Sequence, residues 1–164
     1  MAETTQPMND ELLIESVDLD NEDQIQACVD LIAEFATMYG PAPDWPVRAS
    51  FPELLRRRGA ILYLARLNDQ PVGVALCQLA LVSFTASEAL NIHDIFITES
   101  ARGHGVGRRL LNQVIDHARS LGCMKVTLEV LKDNEQARHL YRAAGFGLPE
   151  DGAEETHFLS LKLD

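Results

Sequence analysis

The stretch HDIFITESARGHGVGRRLLNQVIDHARSLGC, His93 to Cys123, decides how this chain is read. An apolar run ends at Ile97 and a short polar turn follows. Then comes Arg102-Gly103-His104-Gly105-Val106-Gly107. Behind it Val106, Leu110, Leu111, Val114, Ile115 and Ala118 recur at helical spacing. The pattern predicts a strand, a glycine-rich loop and a helix N-terminus. Backbone N–H groups there lack intrahelical partners and the helix dipole is positive, which suits a phosphate or pyrophosphate. Glycine lets the backbone approach such a ligand closely. Arg102, Arg108 and Arg109 add positive charge at the same place.

Two familiar glycine loops do not fit. A P-loop needs Lys-Ser or Lys-Thr after its last glycine, and neither pair occurs in the chain. The dinucleotide fingerprint needs a third glycine where Leu110 stands. What remains, R-x-x-G-x-G, is by itself equally a tight turn into a helix.

The next residues add order to the motif. Gly122 is a helix C-cap. Lys125 to Leu131 alternates Val126, Leu128 and Val130, as a strand does. In NEQARHLYRAAGF, residues 134 to 146, Ala137, Leu140, Tyr141 and Ala144 share one helical face, and Gly145 stops the helix.

Upstream, residues 1 to 10 are expected to be a disordered tail, with residues 11 to 164 forming one domain. Leu12 to Val17 is a short strand and Asp20 to Phe35 a helix capped by Asp20 or Asn21. Residues 39 to 46 form a proline-punctuated loop. Phe51 to Arg58 is a second helix with Pro52 in its first turn. Strands are expected over Ala60 to Leu67, Val72 to Val82 and Leu90 to Ile97, with a loop from Ser83 to Ala89. Thr156 to Leu163 alternates as a last strand, expected to pair near Phe146 as a hairpin. The class is α/β or α+β, with a mixed, mostly antiparallel sheet.

Charge is unevenly placed. Eleven acids precede Arg48, the first basic residue, and fourteen acids face fourteen basic residues from there on. The net charge of −11 therefore resides before Arg48. Such a chain repels nucleic acid. The acidic part either steers a cationic ligand or is a solvated face. No basic, apolar leader opens the sequence and no apolar run is long enough to span a membrane, so a cytoplasmic protein is expected. Cys28, Cys77 and Cys123 form neither a metal-ligand pattern nor a disulfide framework, so no metal is expected. A homodimer is kept open.

From Leu90 to Phe146 the chain resembles the GNAT superfamily of N-acetyltransferases. The resemblance is carried by the Arg102–Gly107 loop, Asn134, Ala137, Leu140-Tyr141 and Gly145-Phe146, in that order and spacing. It implies a GNAT-like sheet flanked by about four helices and acetyl-CoA as the donor. The pyrophosphate would lie on Arg102, Gly103, His104, Gly105, Val106, Gly107 and Arg108. The strands ending at Ile97 and Val130 would splay, with the pantetheine arm along Ile95 and Ile97 and in contact with Asn134 and Tyr141.

Acetyl transfer needs a neutral amine, a polarised carbonyl and a proton for the departing thiolate. Tyr141 stands at the family's tyrosine and is the candidate acid, the alternative being a core tyrosine. Asn134 is a helix cap as well as a ligand candidate. His93 is the first candidate base, since histidine as a residue type ionises near working pH. It stands where polyamine-acetylating members carry glutamate, which weakens that specificity here. Glu129 is the reserve. Asp94 lies on the opposite strand face from His93 unless a bulge intervenes. The resulting expectation is transfer to a small-molecule amine acceptor in a ternary complex. The alternatives are a protein-lysine or N-terminal acetyltransferase, or a non-catalytic acyl-CoA sensor on the same fold.

Overall fold

The computed structural model describes residues 11–40, 50–147 and 156–163. Their elements are β1 (Leu12–Ser16), α1 (Glu22–Thr37), α2 (Phe51–Arg58), β2 (Ile61–Leu67), β3 (Gln70–Val82), β4 (Ser87–Ile97), α3 (Val106–Ser120), β5 (Lys125–Leu131), α4 (Glu135–Ala143) and β6 (Thr156–Lys162). The strands form one sheet in the order β1-β2-β3-β4-β5-β6. All neighbours are antiparallel except β4 and β5. The parallel pair is joined through α3, as a parallel connection requires a crossover. The expected mixed, mostly antiparallel sheet is therefore the one found.

The sheet is covered on both faces. On one, Leu110, Leu111, Val114, Ile115 and Ala118 of α3 and Tyr141 of α4 pack on Leu90, Ile92, Val126, Leu128 and Val130. On the other, Cys28, Leu31 and Ile32 of α1 and Leu55 of α2 pack on Leu62, Leu64, Val74, Leu76 and Phe96. Each fully buried aliphatic side chain contributes ~1.5–3 kcal/mol, so α3 is held by its apolar stripe and not by helix propensity.

Boundaries differ from expectation for local reasons. Helix α1 starts at Glu22 because Asn21 Oδ1 accepts from the N–H groups of Asp23 and Gln24, at 3.1 and 3.2 Å. The loop expected over Ser83 to Ala89 is shorter. One 3-10 turn, Ser83–Thr85, closes on Ala86 in the left-handed region (φ 48°), and β4 then begins at Ser87. Strand β6 pairs along its whole length with β5. The expected hairpin near Phe146 is reduced to a single bridge, Gly147 to Ser160. The reason is that β5 offers β6 a full-length strand edge. The expected tail, and residues 41–46 of the expected proline loop with Trp45, lie outside the described residues. No helix among the described residues is long and apolar enough to cross a membrane.

Candidate active site

Two irregularities in β4 build the site. The β4–β5 ladder runs from Ala89–Lys125 only to Ile92–Leu128. Beyond it, β4 stays with β3 and β5 stays with β6, so the two strands part. At the parting point the β3–β4 register slips: Leu76 faces Asp94 and Cys77 faces Ile92, leaving His93 without an opposite residue. That is a β-bulge, which bends a strand and increases its twist. The bend takes β4 away from β5 and opens a gap in the sheet.

The bulge also resets the strand's alternation. Leu90 and Ile92 face α3, and so do Ile95 and Ile97 after the slip, while Phe96 faces α1. His93 and Asp94 consequently fall on the same face, toward α1 and α2, and not on opposite faces as regular alternation would have them. A cavity of about 290 Å³ occupies the gap. His93 and Asp94 line it with Glu129, Asn134, Tyr141, Phe35 of α1 and Tyr39 just beyond that helix. A second cavity of about 410 Å³ lies on the far side of His93, under α2, among Phe51, Leu54, Leu55, Arg58, Leu76 and Gln78.

Tyr141 enters the gap from the α3 and α4 side. Its ring is 4% exposed and contacts Phe146, with centroids 5.8 Å apart. The hydroxyl lines the cavity side and has no hydrogen-bond partner among the described residues. Burial, and to a lesser degree the neighbouring Tyr39, pushes its pKa up to about 12. The phenol therefore keeps its proton at any working pH. Asp94 is also pushed above the usual carboxylate range by burial, with His93 opposing the shift. Glu129 is exposed on the same sheet face as His93. Asn134 caps α4, its Oδ1 accepting from the Ala137 N–H at 3.1 Å. That leaves the Asn134 amide NH₂ free to donate.

The glycine loop lies between β4 and α3, beyond a 3-10 turn at Glu99–Ala101. Gly103 and Gly105 have φ of 81° and 76°, a region that other residues enter only with strain. Among the described residues, no backbone N–H from Gly103 to Arg108 has a hydrogen-bond partner. Arg102 donates through Nε to the Ile97 carbonyl at 3.3 Å, and His104 Nδ1 lies 3.1 Å from the Arg102 carbonyl. A Cβ built on Gly103 or Gly105 meets nothing within 4 Å, so the loop faces open space. Gly107 has a packing role as well. A Cβ there would come within 3.3 Å of the end of the Leu140 side chain, so this glycine also eases the approach of α3 to α4.

Comparison with known proteins now decides the family. The acetyltransferase (GNAT) family model matches residues 25–146. The chain belongs to the GNAT acetyltransferase family. An uncharacterised N-acetyltransferase of Methanocaldococcus jannaschii is 31% identical over 68% of this chain and 50% of its own length. The N-alpha-acetyltransferase RimI of Mycobacterium tuberculosis is 34% identical, over 74% of this chain and 71% of that protein. This GNAT chain thus spans about half the length of the first of these relatives. The crystal structure of the NatC complex bound to Gag peptide and CoA aligns with a TM-score of 0.75. It is 21% identical and covers 94% of this chain and 99% of that one, which establishes a shared GNAT fold.

Sequence reasoning missed Phe35 and Tyr39 as lining residues. Their i, i+4 spacing at the end of α1 was a signal that they share a face. The pairing of Asp94 with His93 had no local signal, because the slip exists only relative to β3.

Proposed function

We propose that this chain is an acetyl-CoA-dependent N-acetyltransferase acting on a small cationic amine, by direct transfer in a ternary complex. The observation that carries this reading is the gap between β4 and β5. It has a protonated tyrosine on one face and His93, Asp94 and Glu129 on the other, beside a loop of unpartnered N–H groups.

The chain's residues fit the donor. N–H groups from Gly103 to Arg108 point to an anion, and the loop leaves room for one. Arg102 and Arg108 complement its charge. Ile95 and Ile97 lie where β4 has lost its β5 neighbour, and apart from the Ile97 carbonyl, which accepts from Arg102, their backbone groups on that side suit an extended amide chain. Asn134 can add a side-chain donor. When bound, acetyl-CoA supplies an activated acetyl thioester.

His93 is the first candidate to take the ammonium proton, with Asp94 beside it and Glu129 in reserve. A backbone N–H freed at the parting of the strands serves as the oxyanion donor. Tyr141 gives its phenolic proton toward the leaving sulfur. With its pKa near 12 against ~8.5 for the free thiol, the phenol is the weaker acid, so complete transfer of its proton to the departed thiolate is unfavourable by about 5 kcal/mol. Tyr141 therefore acts as a hydrogen-bond donor that stabilises the negative charge developing on sulfur as the C–S bond breaks. The carboxylates favour a positively charged acceptor, and the size of the cavity favours a small one.

A second reading, acetylation of a peptide N-terminus, is favoured by the RimI relative and by the peptide-bound NatC neighbour. The deciding experiment is a panel of charged small amines and peptides with free N-termini, followed by CoA thiol release. Turnover of small amines supports the first reading and turnover of peptides alone supports the second. Binding of acetyl-CoA without turnover of any amine leaves a sensor.

A further inference from the structure

Beyond His93, the cavity under α2 has the opposite electrical character to the gap between β4 and β5. The gap is lined by the carboxyl groups of Asp94 and Glu129. Among the described residues no acid lines the α2 cavity, and its permanently charged side chain is Arg58. Phe51, Leu54, Leu55 and Leu76 give it apolar walls, and Gln78 adds an amide. Arg58 is exposed and has no ion pair or hydrogen bond among the described residues. Arg56, in the same helical turn, shows what a structural arginine does here: it donates to the Leu19 carbonyl at 2.7 Å and to Glu22 at 3.0 Å. The Gln78 side chain is likewise exposed and without a hydrogen bond among the described residues. His93 belongs to both linings, so the two spaces meet at that side chain.

We propose that the acceptor is bipolar: its amine enters the gap, and a carboxylate at its other end is held under α2 by Arg58 and Gln78. This rests on the gap being the place of acetyl transfer. Charge complementarity selects the carboxylate. A guanidinium pairs with it through two parallel hydrogen bonds, whereas a second ammonium is repelled. The apolar walls suit methylene or ring carbons between the two poles. Strand register sets their separation. Leu76 faces Asp94, and Gln78, two residues further along the same strand face, is opposite Asn91. At ~3.4 Å per residue the two levels are about 7 Å apart. A carboxylate two bonds from the amine, as in an α-amino acid, spans only ~2.5 Å, whereas six bonds span ~7.5 Å. The acceptor class is therefore an amine with its carboxylate about six bonds away.

The test compares 6-aminohexanoate, hexylamine and 1,6-diaminohexane, which share a six-carbon chain and differ at the far end. Release of CoA thiol by the full chain is followed with each, and calorimetry in the presence of CoA measures their binding. The expected kcat/KM is highest for 6-aminohexanoate and lowest for the diamine. Glycine, whose carboxylate is too close to its amine, should fall at least ~10-fold below 6-aminohexanoate. Arg58→Glu should reverse the order of 6-aminohexanoate and the diamine. Arg58→Ala should cut the ratio of 6-aminohexanoate to hexylamine at least ~5-fold. Arg57→Ala removes an exposed charge from the same helical turn but outside the cavity lining, and should keep the parental ratio. Equal kcat/KM for the three six-carbon amines, or ratios indifferent to Arg58→Glu, would overturn the bipolar acceptor and leave acetyl transfer standing. Binding in the same order and dependent on Arg58, without turnover, would support the bipolar pocket and overturn acetyl transfer at the gap. Neither turnover nor binding would overturn both.

Discussion

Replacing Tyr141 by Phe separates chemistry from packing unusually well in this structure. The ring is buried against Phe146, and the phenylalanine ring keeps that contact. The hydroxyl has no protein partner among the described residues, so its removal orphans no buried group. Stability should change by no more than ~0.5 kcal/mol, the usual range for changes that break no internal interaction. Activity should behave differently. Loss of an acid–base group costs ~10²–10⁴ in rate, which is about 2.7–5.5 kcal/mol of barrier. The assay is release of CoA thiol at saturating acetyl-CoA, with the acetyl-CoA KM expected to stay nearly constant. The pH profile gives a second readout. A phenol held near 12 puts no descending limb from Tyr141 below about pH 11. Its effect on stability has the same sign. The raised pKa lends stability that is complete below the unfolded value near 10 and is lost as pH rises through about 12. Tyr141→Phe should remove that share of the alkaline loss. An unchanged kcat, with chemistry shown to be rate-limiting, would return Tyr141 to the role of a core residue.

The remaining predictions test the other parts. Gly105→Val forces a branched side chain into φ 76° and fills the space in front of the free N–H groups, so calorimetry should find acetyl-CoA binding nearly abolished. Normal affinity would refute the pyrophosphate site. Gly107→Ala should act on stability instead, since its Cβ meets Leu140, and a melt with an unshifted midpoint would count against that packing role. Asp94 has a raised pKa, so the stability it lends is complete below the ordinary carboxylate range and lost as pH rises through the raised value. Asp94→Asn should therefore melt higher than the parent at neutral pH, with the gain vanishing in acid; a gain that persists in acid would mean burial is not the cause. Finally, kcat/KM for a cationic amine should fall with salt, since screening limits fields to about 8 Å at physiological ionic strength. Neutralising exposed Glu34 together with Asp44, which lies outside the described residues, should raise the amine KM and spare that of acetyl-CoA. Indifference to salt and to both changes would leave the acidic segment a solubility feature.

The parts of the fold legible in the sequence were those set by local periodicity. The stripe of α3, the alternation of β5 and the Asn134 cap each follow from residues a few positions apart. Helix α2 runs over Phe51–Arg58 as expected because Pro52 and Gly59 punctuate both its ends. The bulge was not legible, since His93 and Asp94 carry no mark of it and the slip is defined by Leu76 and Cys77 on another strand. Nor was the partner of β6, because alternation shows that a strand exists and not which edge it meets. The packing role of Gly107 was not legible for a related reason: a glycine's sequence neighbours do not tell that Leu140 also needs the space.

The parting of β4 from β5 also divides the molecule's tolerance to change. One rim of the gap offers main-chain amides, which every residue type carries, and the other offers the side chains of α1, α2 and β4. A mutation on α1 or α2 alters the second rim while the sheet itself shields the first. The two rims can therefore drift at different rates. A library randomised at Phe35, Tyr39, Phe51, Leu54 and Arg58 would explore new acceptors against a constant donor grip.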